Sequence, residues 1–463
     1  MIKKILSGLG IVIVAAVAFV YFNYGSIARA GNGYSAKNIC SGYFLSGFEP
    51  ETVKVQALLG ASSSLAYVSY DVDLNQNLVT TNLFGLFERR AIYTPGIGCT
   101  LLPAGETNAS IAISPLPTLE VSEQLAWPQG RATPALNADV VEMLDSVFVE
   151  ESMEQPRNTK AVVVIHQGQL IAERYADGVA PDTPLIGWSM GKSLTALLVG
   201  LLEKDGRLDA GAPAVVPQWT KQDDDPRQDI TLDQLLRMSS GLEFDESYSV
   251  ATDVTRMLSL ESDMAGFAAS KPLIGPPDTI WSYSSGTTNI VSGIVRRSVG
   301  DSLQSAYEFS QLRLFRPLGI RTATIEADRN GTFIGSSYVY ASARDWARLG
   351  QFCLQNGEWN GEQMLPDGWI DYLVTPTPTS GENEYGAHFW LNRKPDDPNR
   401  DRMIPSLPED TYFMNGFQGQ VVMVIPSEDL VIARFGFTPA GNHGISELVG
   451  ELIEHLNSVE DAS

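Results

Sequence analysis

The sequence predicts an α+β fold: antiparallel strands from the two ends of one domain build a sheet, and the intervening helices cover it. Three observations carry this. Ala161-Val162-Val163-Val164-Ile165 and Leu170-Ile171-Ala172-Glu173-Arg174-Tyr175 flank the turn His166-Gln167-Gly168-Gln169, the pattern of a β-hairpin. A second hairpin is written near the end, Gln420-Val421-Val422-Met423-Val424-Ile425, then Pro426-Ser427-Glu428-Asp429, then Leu430-Val431-Ile432-Ala433-Arg434-Phe435. Between them the apolar spacing is helical and does not alternate strand with helix, which argues against a βαβ series.

Taken in order, the chain opens with Lys3 and Lys4 before an uncharged, mostly apolar run from Ile5 to Phe22. That run is long for a signal peptide and just long enough to span a bilayer, and Ala28-Arg29-Ala30 offers a small-x-small cleavage site. Residues 1–30 are therefore expected to be an uncleaved anchor in the inner membrane or a cleaved signal peptide. Either places the remainder in the periplasm or otherwise outside the cytoplasm. No Cys follows the run, so lipidation there is not supported.

Residues 31–135 read as a separate N-terminal extension. It holds one strand-like stretch, Leu78 to Phe87, and ends in a linker with Pro115, Pro117, Pro128, Gly130 and Pro134. Cys40 and Cys99 lie in this part, in glycine-containing loop contexts, whereas Cys353 falls in the helical pattern Trp346 to Leu354 and reads as a buried thiol. An oxidising compartment permits a disulfide, and Cys40 with Cys99 is the expected pair. Residues 136–458 form the main domain, closing on a helix from Ile445 to Asn457, with 459–463 as a tail. The net charge of −23 leaves no basic face for a polyanion, which excludes nucleic acid as the expected partner.

The chemistry concentrates in three short elements. In Gly187-Trp188-Ser189-Met190-Gly191-Lys192, Ser and Lys stand three apart, so on a helix the amine reaches the hydroxyl. Leu194, Leu197, Leu198, Leu201 and Leu202 give that helix an apolar stripe, and Gly206 suits its C-terminal end. Ser189 would then sit at a helix N-terminus, where free N–H groups favour developing negative charge. The same residues spell Gly-x-Ser-x-Gly, a nucleophile-elbow pattern, but Pro181 and Pro184 spoil the strand that an elbow requires. The second element is Trp281-Ser282-Tyr283-Ser284-Ser285-Gly286 before a helical run; a Tyr held near cations exchanges protons with a serine oxygen. The third, Asn415-Gly416-Phe417-Gln418-Gly419-Gln420, opens the late hairpin with glycines that let a backbone N–H approach a substrate. Asp223-Asp224-Asp225 reads as a solvated loop, and the four His residues lack metal-ligand spacing, so no metal is expected.

In this order the three elements resemble the serine β-lactamase and penicillin-binding-protein superfamily, in the branch of class C β-lactamases, carboxylesterases and 6-aminohexanoate-dimer (nylon-oligomer) hydrolases. Further likeness lies in Gly206-Arg207-Leu208-Asp209, in Ile230 to Leu242 and in Tyr340 to Gly350, and it covers roughly residues 140 to 455. The resemblance implies a central antiparallel sheet flanked by helices with a helical subdomain, and an acyl-enzyme mechanism without cofactor. Ser189 is the implied nucleophile, Lys192 its first proton acceptor and Tyr283 the partner that relays protons. The N–H groups of Ser189 and Gln420 would hold the oxyanion. Ser285 would position the leaving group or Lys192, and Trp188, Phe417 and Gly419 would border the substrate. Phe244-Asp245-Glu246-Ser247-Tyr248 looks most like the nylon-oligomer hydrolases, in which a loop Tyr closes over the amide; Tyr248 is the matching position. The implied substrates are small esters or linear amides, with a D-amino-acid peptidase or a membrane-tethered peptidoglycan-binding or sensing module as alternatives on the same fold. Relatives that hydrolyse β-lactams efficiently carry Lys where this chain has Phe417. Little β-lactamase activity is therefore expected, unless Arg434 supplies the cation from another strand.

Overall fold

The computed structural model describes residues 25–108, 111–120, 122, 124–150, 152, 156–221, 223–249, 251–439 and 443–460. Ile5 to Phe22, on which the anchor or signal expectation rests, lies outside them. Among the described residues no helix is long and apolar enough to cross a membrane.

Residues 25–44 form a helix. Strands β1 (Val68–Asp73), β2 (Leu78–Leu83), β3 (Leu86–Thr94) and β4 (Gly98–Leu102) follow as an antiparallel meander. The stretch expected as one strand is thus a hairpin. Phe84 and Gly85 take positive φ, and the Gly85 N–H donates to Asn82 Oδ1 at 2.7 Å, which turns the chain back within two residues.

The main sheet has six strands in the order β12-β13-β14-β15-β5-β6, with every neighbouring pair antiparallel. The early hairpin supplies β5 (Thr159–His166) and β6 (Gln169–Tyr175). A small three-stranded sheet is made by β7 (Leu185–Ile186), β8 (Thr324–Ile325) and β9 (Val339–Ala341), and a separate hairpin by β10 (Glu358–Trp359) and β11 (Glu362–Gln363). The end of the chain adds β12 (Trp390–Leu391), β13 (Tyr412–Gly416), β14 (Gln420–Ile425) and β15 (Leu430–Gly436). The two predicted hairpins therefore meet edge to edge through β15 and β5, giving the α+β architecture that the sequence predicts. Alternation on β5 assigns the faces: Val163 and Ile165 enter the main core, while Val162 and Val164 pack under the helix Ile445–Glu460 with Ile445, Leu448 and Val449. On the main-core side the helix Ala343–Leu354 lies close against the sheet at Gly350, where a Cβ would stand 2.6 Å from Val431 and 2.7 Å from Val422.

The helix Met190–Lys204 runs through the middle of the molecule. Every residue from Met190 to Leu202 is buried, so the leucine stripe is only part of an all-round contact surface. It ends as its sequence implies: Gly206 takes φ +65°, with Gly206 N–H donating to Glu203 O at 2.9 Å and Arg207 N–H to Leu202 O at 2.8 Å.

The helix over 25–44 belongs to the same core, burying Ala36, Ile39 and Cys40 in one cluster with residues of the main domain. Cys40 bonds to Cys99 of β4, and Cys353 is free and buried, as expected. The expected setting differs for both: Cys40 lies on this helix and Cys99 on strand β4, neither in a loop. Lys37 on the next turn forms a fully buried ion pair with Glu326. Two buried charges are costly unless their remaining hydrogen-bonding capacity is met. Here Ser41 Oγ donates to Glu326 at 2.8 Å, Cys99 N–H donates at 2.5 Å, and the Lys37 ammonium lies 4.3 Å from the Tyr338 ring centroid. The disulfide thereby ties the helix to the strands of the extension, and the ion pair ties it to the main domain.

Candidate active site

Strand β7 is only two residues long and pairs antiparallel with β9, outside the six-stranded sheet, so the turn after it is not an α/β-hydrolase elbow. Gly187 N–H still donates to Val339 O at 2.8 Å, and the chain then reverses through Trp188, whose φ is +47°. A bulky residue in the left-handed region is strained and persists only where its surroundings hold it there. Trp188 is held on three sides: its ring stacks on Tyr34 at 6.1 Å and meets Tyr338 at 5.5 Å and Phe417 at 5.9 Å between centroids.

The next residue, Ser189, caps the helix Met190–Lys204 without a side-chain capping bond, which leaves Oγ for other partners. Lys192 Nζ stands 3.0 Å from Ser189 Oγ, 3.0 Å from Ser285 Oγ and 3.1 Å from Ser336 O. Burial pushes the lysine down to about 8, with the Glu246 charge pulling in the opposite direction. Ser285 begins the helix Ser285–Ser298, with Ser284 Oγ accepting from Thr287 N–H at 3.0 Å. Glu246 accepts from both Ser285 N–H at 2.8 Å and Ser285 Oγ at 2.5 Å, a carboxylate at a helix N-terminus. Burial raises it above the usual carboxylate range, while Lys192 and the Ser285 hydrogen bonds oppose that rise. The Tyr283 ring lies 4.7 Å from Lys192 Nζ and packs on Trp390 at 5.3 Å, and its phenol interacts with the Ser189 side chain. Burial, reinforced by Glu246, raises the phenol well above its ordinary value, so it stays protonated at neutral pH. Ser189 and Lys192 from one segment, and Tyr283 and Ser285 from another far along the chain, thus come together as one hydroxyl–amine–phenol cluster.

Glu246 had no assigned role in the sequence. It sits two residues before Tyr248 in a segment singled out for the tyrosine, but its aim at the Ser285 helix follows from tertiary packing. Tyr248 itself is half exposed and stacks flat on Phe417, with centroids 5.6 Å apart.

The third element is placed differently from expectation. A Cβ on Gly416 would stand 2.1 Å from Gly187 O, so the strand edge against the nucleophile turn is Gly416–Phe417. Gln420 spends its side chain on the backbone, donating to Phe417 O at 3.0 Å and accepting from Gly436 N–H at 3.0 Å. Gly419, at φ +80°, faces away from this edge: a Cβ there would lie 2.6 Å from Arg434 Nη1 and 2.8 Å from His443. Arg434 is fully buried and donates to Gly419 O, Arg157 O, Thr159 Oγ1 and Thr438 Oγ1 at 2.8–2.9 Å. Its guanidinium is committed to these groups and does not supply a cation to the site.

A family model described as Beta-lactamase matches residues 144–438. The chain belongs to the β-lactamase family. It is 27% identical over 280 residues to a 6-aminohexanoate-dimer hydrolase of Paenarthrobacter ureafaciens, covering 56% of this chain and 67% of the relative. Two solved structures share the fold. One, described as a "putative 6-aminohexanoate-dimer hydrolase from Bacillus anthracis", superposes with a TM-score of 0.55 at 24% identity, over 68% of this chain and 82% of its own. The other, EstA from Arthrobacter nitroguajacolicus Rue61a, gives 0.52 at 18% identity, over 70% and 98%. This β-lactamase-family hydrolase carries its helix over 25–44 and its strands β1 to β4 outside the matched residues. Tyr34, which stacks on Trp188 beside the nucleophile, comes from that outlying part.

Proposed function

We propose that this β-lactamase-family hydrolase works outside the cytoplasm as a serine hydrolase of small, uncharged esters or short linear amides. The observation that carries the reading is the Lys192 nitrogen, 3.0 Å from the hydroxyls of both Ser189 and Ser285, with the Tyr283 ring across it. Ser189 Oγ attacks the substrate carbonyl and gives its proton to neutral Lys192. The N–H groups of Ser189 and Phe417 hold the oxyanion; Phe417 takes the place expected of Gln420 because its edge is the one against the nucleophile turn. Collapse of the tetrahedral intermediate breaks the bond to the leaving group, which takes a proton from Tyr283, itself reprotonated from Lys192. Water then enters by the same steps in reverse, attacking the acyl-enzyme and returning Ser189. Glu246 holds Ser285, and through it Lys192, in place.

The names of the relatives, an amide-dimer hydrolase and an esterase, support this substrate range. The Cys40–Cys99 disulfide and the lysine-led apolar run at residues 5–22 support the location. A β-lactam carboxylate brought beside Phe417 would meet an aromatic stack with Tyr248, and Arg434 is committed elsewhere. Leaving that charge desolvated and unpaired costs several kcal/mol. The test is fluorophosphonate labelling, followed by steady-state kinetics on p-nitrophenyl butyrate beside nitrocefin. Labelling at Ser189 and a kcat/KM for the ester well above that for nitrocefin are expected. Absence of labelling, or the reverse ranking, overturns the reading.

A further inference from the structure

Beside the nucleophile turn lies a cavity of about 180 Å³, and half of its wall comes from outside the family-matched residues. From the hydrolase domain Trp188, Tyr248 and Phe417 line it; from the extension come Ile27, Gly31 and Leu65. Among the described residues that line it, none carries a charged side chain. The arrangement is built and not incidental. The helix over 25–44 is fixed by the Cys40–Cys99 disulfide and the Lys37–Glu326 pair, and Tyr34 on the same helix stacks on Trp188.

We propose that this cavity is a substrate subsite, and that the N-terminal extension sets the specificity of the reaction by accepting an uncharged aliphatic arm of about six carbons on one side of the scissile bond. This rests on the serine-hydrolase reading above. Three features argue for it. The cavity is lined by Trp188, the residue bonded to the nucleophile, and by Phe417, on the strand edge that faces the nucleophile turn, which places it within reach of a substrate whose carbonyl lies at Ser189. Its size matches the occupant: an apolar cavity of roughly 150 Å³ takes a benzene-sized group, about six carbons. Its chemistry selects against charge, because an ammonium or carboxylate entering it would lose water and find no counter-ion. A substrate arm ending in a charged group, as in the dimer named for the Paenarthrobacter relative, does not suit it.

The full-length protein is assayed on two series of neutral esters, one lengthened on the acyl side of p-nitrophenyl esters and one on the alcohol side of alkyl acetates. In one of them, kcat/KM is expected to rise about fourfold per methylene, the factor equivalent to about 0.8 kcal/mol, up to about six carbons and then level off. An acidic or amino group at the end of a six-carbon arm should abolish that gain. Gly31→Leu fills the space, since a Cβ at Gly31 would already stand 3.3 Å from Leu65 Cδ2. It should lower kcat/KM for the six-carbon arm at least tenfold while leaving p-nitrophenyl acetate within twofold. Leu65→Ala removes wall and should move the optimum one or two carbons longer, which decides the matter if Gly31→Leu folds poorly. Flat profiles in both series, equal rates for charged and neutral arms, or profiles unmoved by the two substitutions overturn the subsite. Failure of the wild type to turn over p-nitrophenyl acetate or to label with a fluorophosphonate overturns the serine-hydrolase reading instead.

Discussion

The two walls of the site are made on different principles. On one side Ser189, Lys192, Ser285, Glu246 and Tyr283 form a chain of polar contacts, each between 2.5 and 3.0 Å where measured between polar atoms. On the other, Trp188, Tyr34, Tyr248 and Phe417 meet only ring to ring, at 5.6–6.1 Å between centroids. The polar wall is set by two helix N-termini, which fix both spacing and field. The aromatic wall is set by four segments that meet by packing, one of them outside the family-matched region. Proton transfer demands the first kind of construction and tolerates little variation. Shape recognition can be rebuilt from whatever segment reaches the nucleophile.

Substitutions can break or sharpen this contrast. The largest effect belongs to the nucleophile: Ser189→Ala should lower kcat by at least about 10⁵-fold and abolish covalent labelling. Retained labelling would move the nucleophile elsewhere. Lys192→Ala should cost about 10³-fold or more. In the unaltered enzyme kcat/KM should rise with pH and level off above about 8, because the buried lysine must lose its proton to act as base. A profile flat from pH 6 to 9 would deny Lys192 that role. Removal of the covalent clamp by Cys40→Ser with Cys99→Ser should destabilise the folded chain by about 4 kcal/mol in the chain-entropy account, read from denaturant unfolding with and without reductant. Identical curves would show the clamp to be idle. Glu246→Gln should lower kcat/KM by about 10²-fold. Because the Glu246 charge raises the Lys192 value, its removal should shift the rising limb of the pH profile below 8. A shift upward would mean that another group governs the limb. The smallest effect is expected on the aromatic wall. Tyr34→Phe should be silent, and Tyr34→Ala should cost about tenfold, the worth of one stack. Equal losses in both variants would point to the Tyr34 hydroxyl instead.

What the sequence disclosed follows the same division. The two hairpins and the helix after Ser189 were legible because period-two runs, turn residues and a leucine stripe are local, and Ser189, Lys192 and Tyr283 lay in short motifs. The hairpin at Phe84–Gly85 was hidden inside a run of strand-forming residues, broken by a turn that needs only Asn82 and Gly85. The resemblance points to Gln420 for the oxyanion, but which residue of a turning strand edge meets another loop depends on how the sheet abuts the nucleophile turn. Glu246, Tyr34 and the Lys37–Glu326 clamp were unreadable for the same reason: each acts across more than 35 positions of chain, on a partner that no local pattern names.

The helix over residues 25–44 has a consequence for how such enzymes diversify. It touches the residue before the nucleophile and walls the adjoining cavity, yet it lies outside the segment that defines the family. On the subsite proposed above, selectivity and chemistry can be inherited separately. Residues of this helix that face the cavity, such as Ile27 and Gly31, can change its shape while Ser189, Lys192, Tyr283 and Ser285 stay on their own helices and turns. Conversely, a fragment trimmed to the family boundaries would retain its relay residues and lose the partner that braces Trp188.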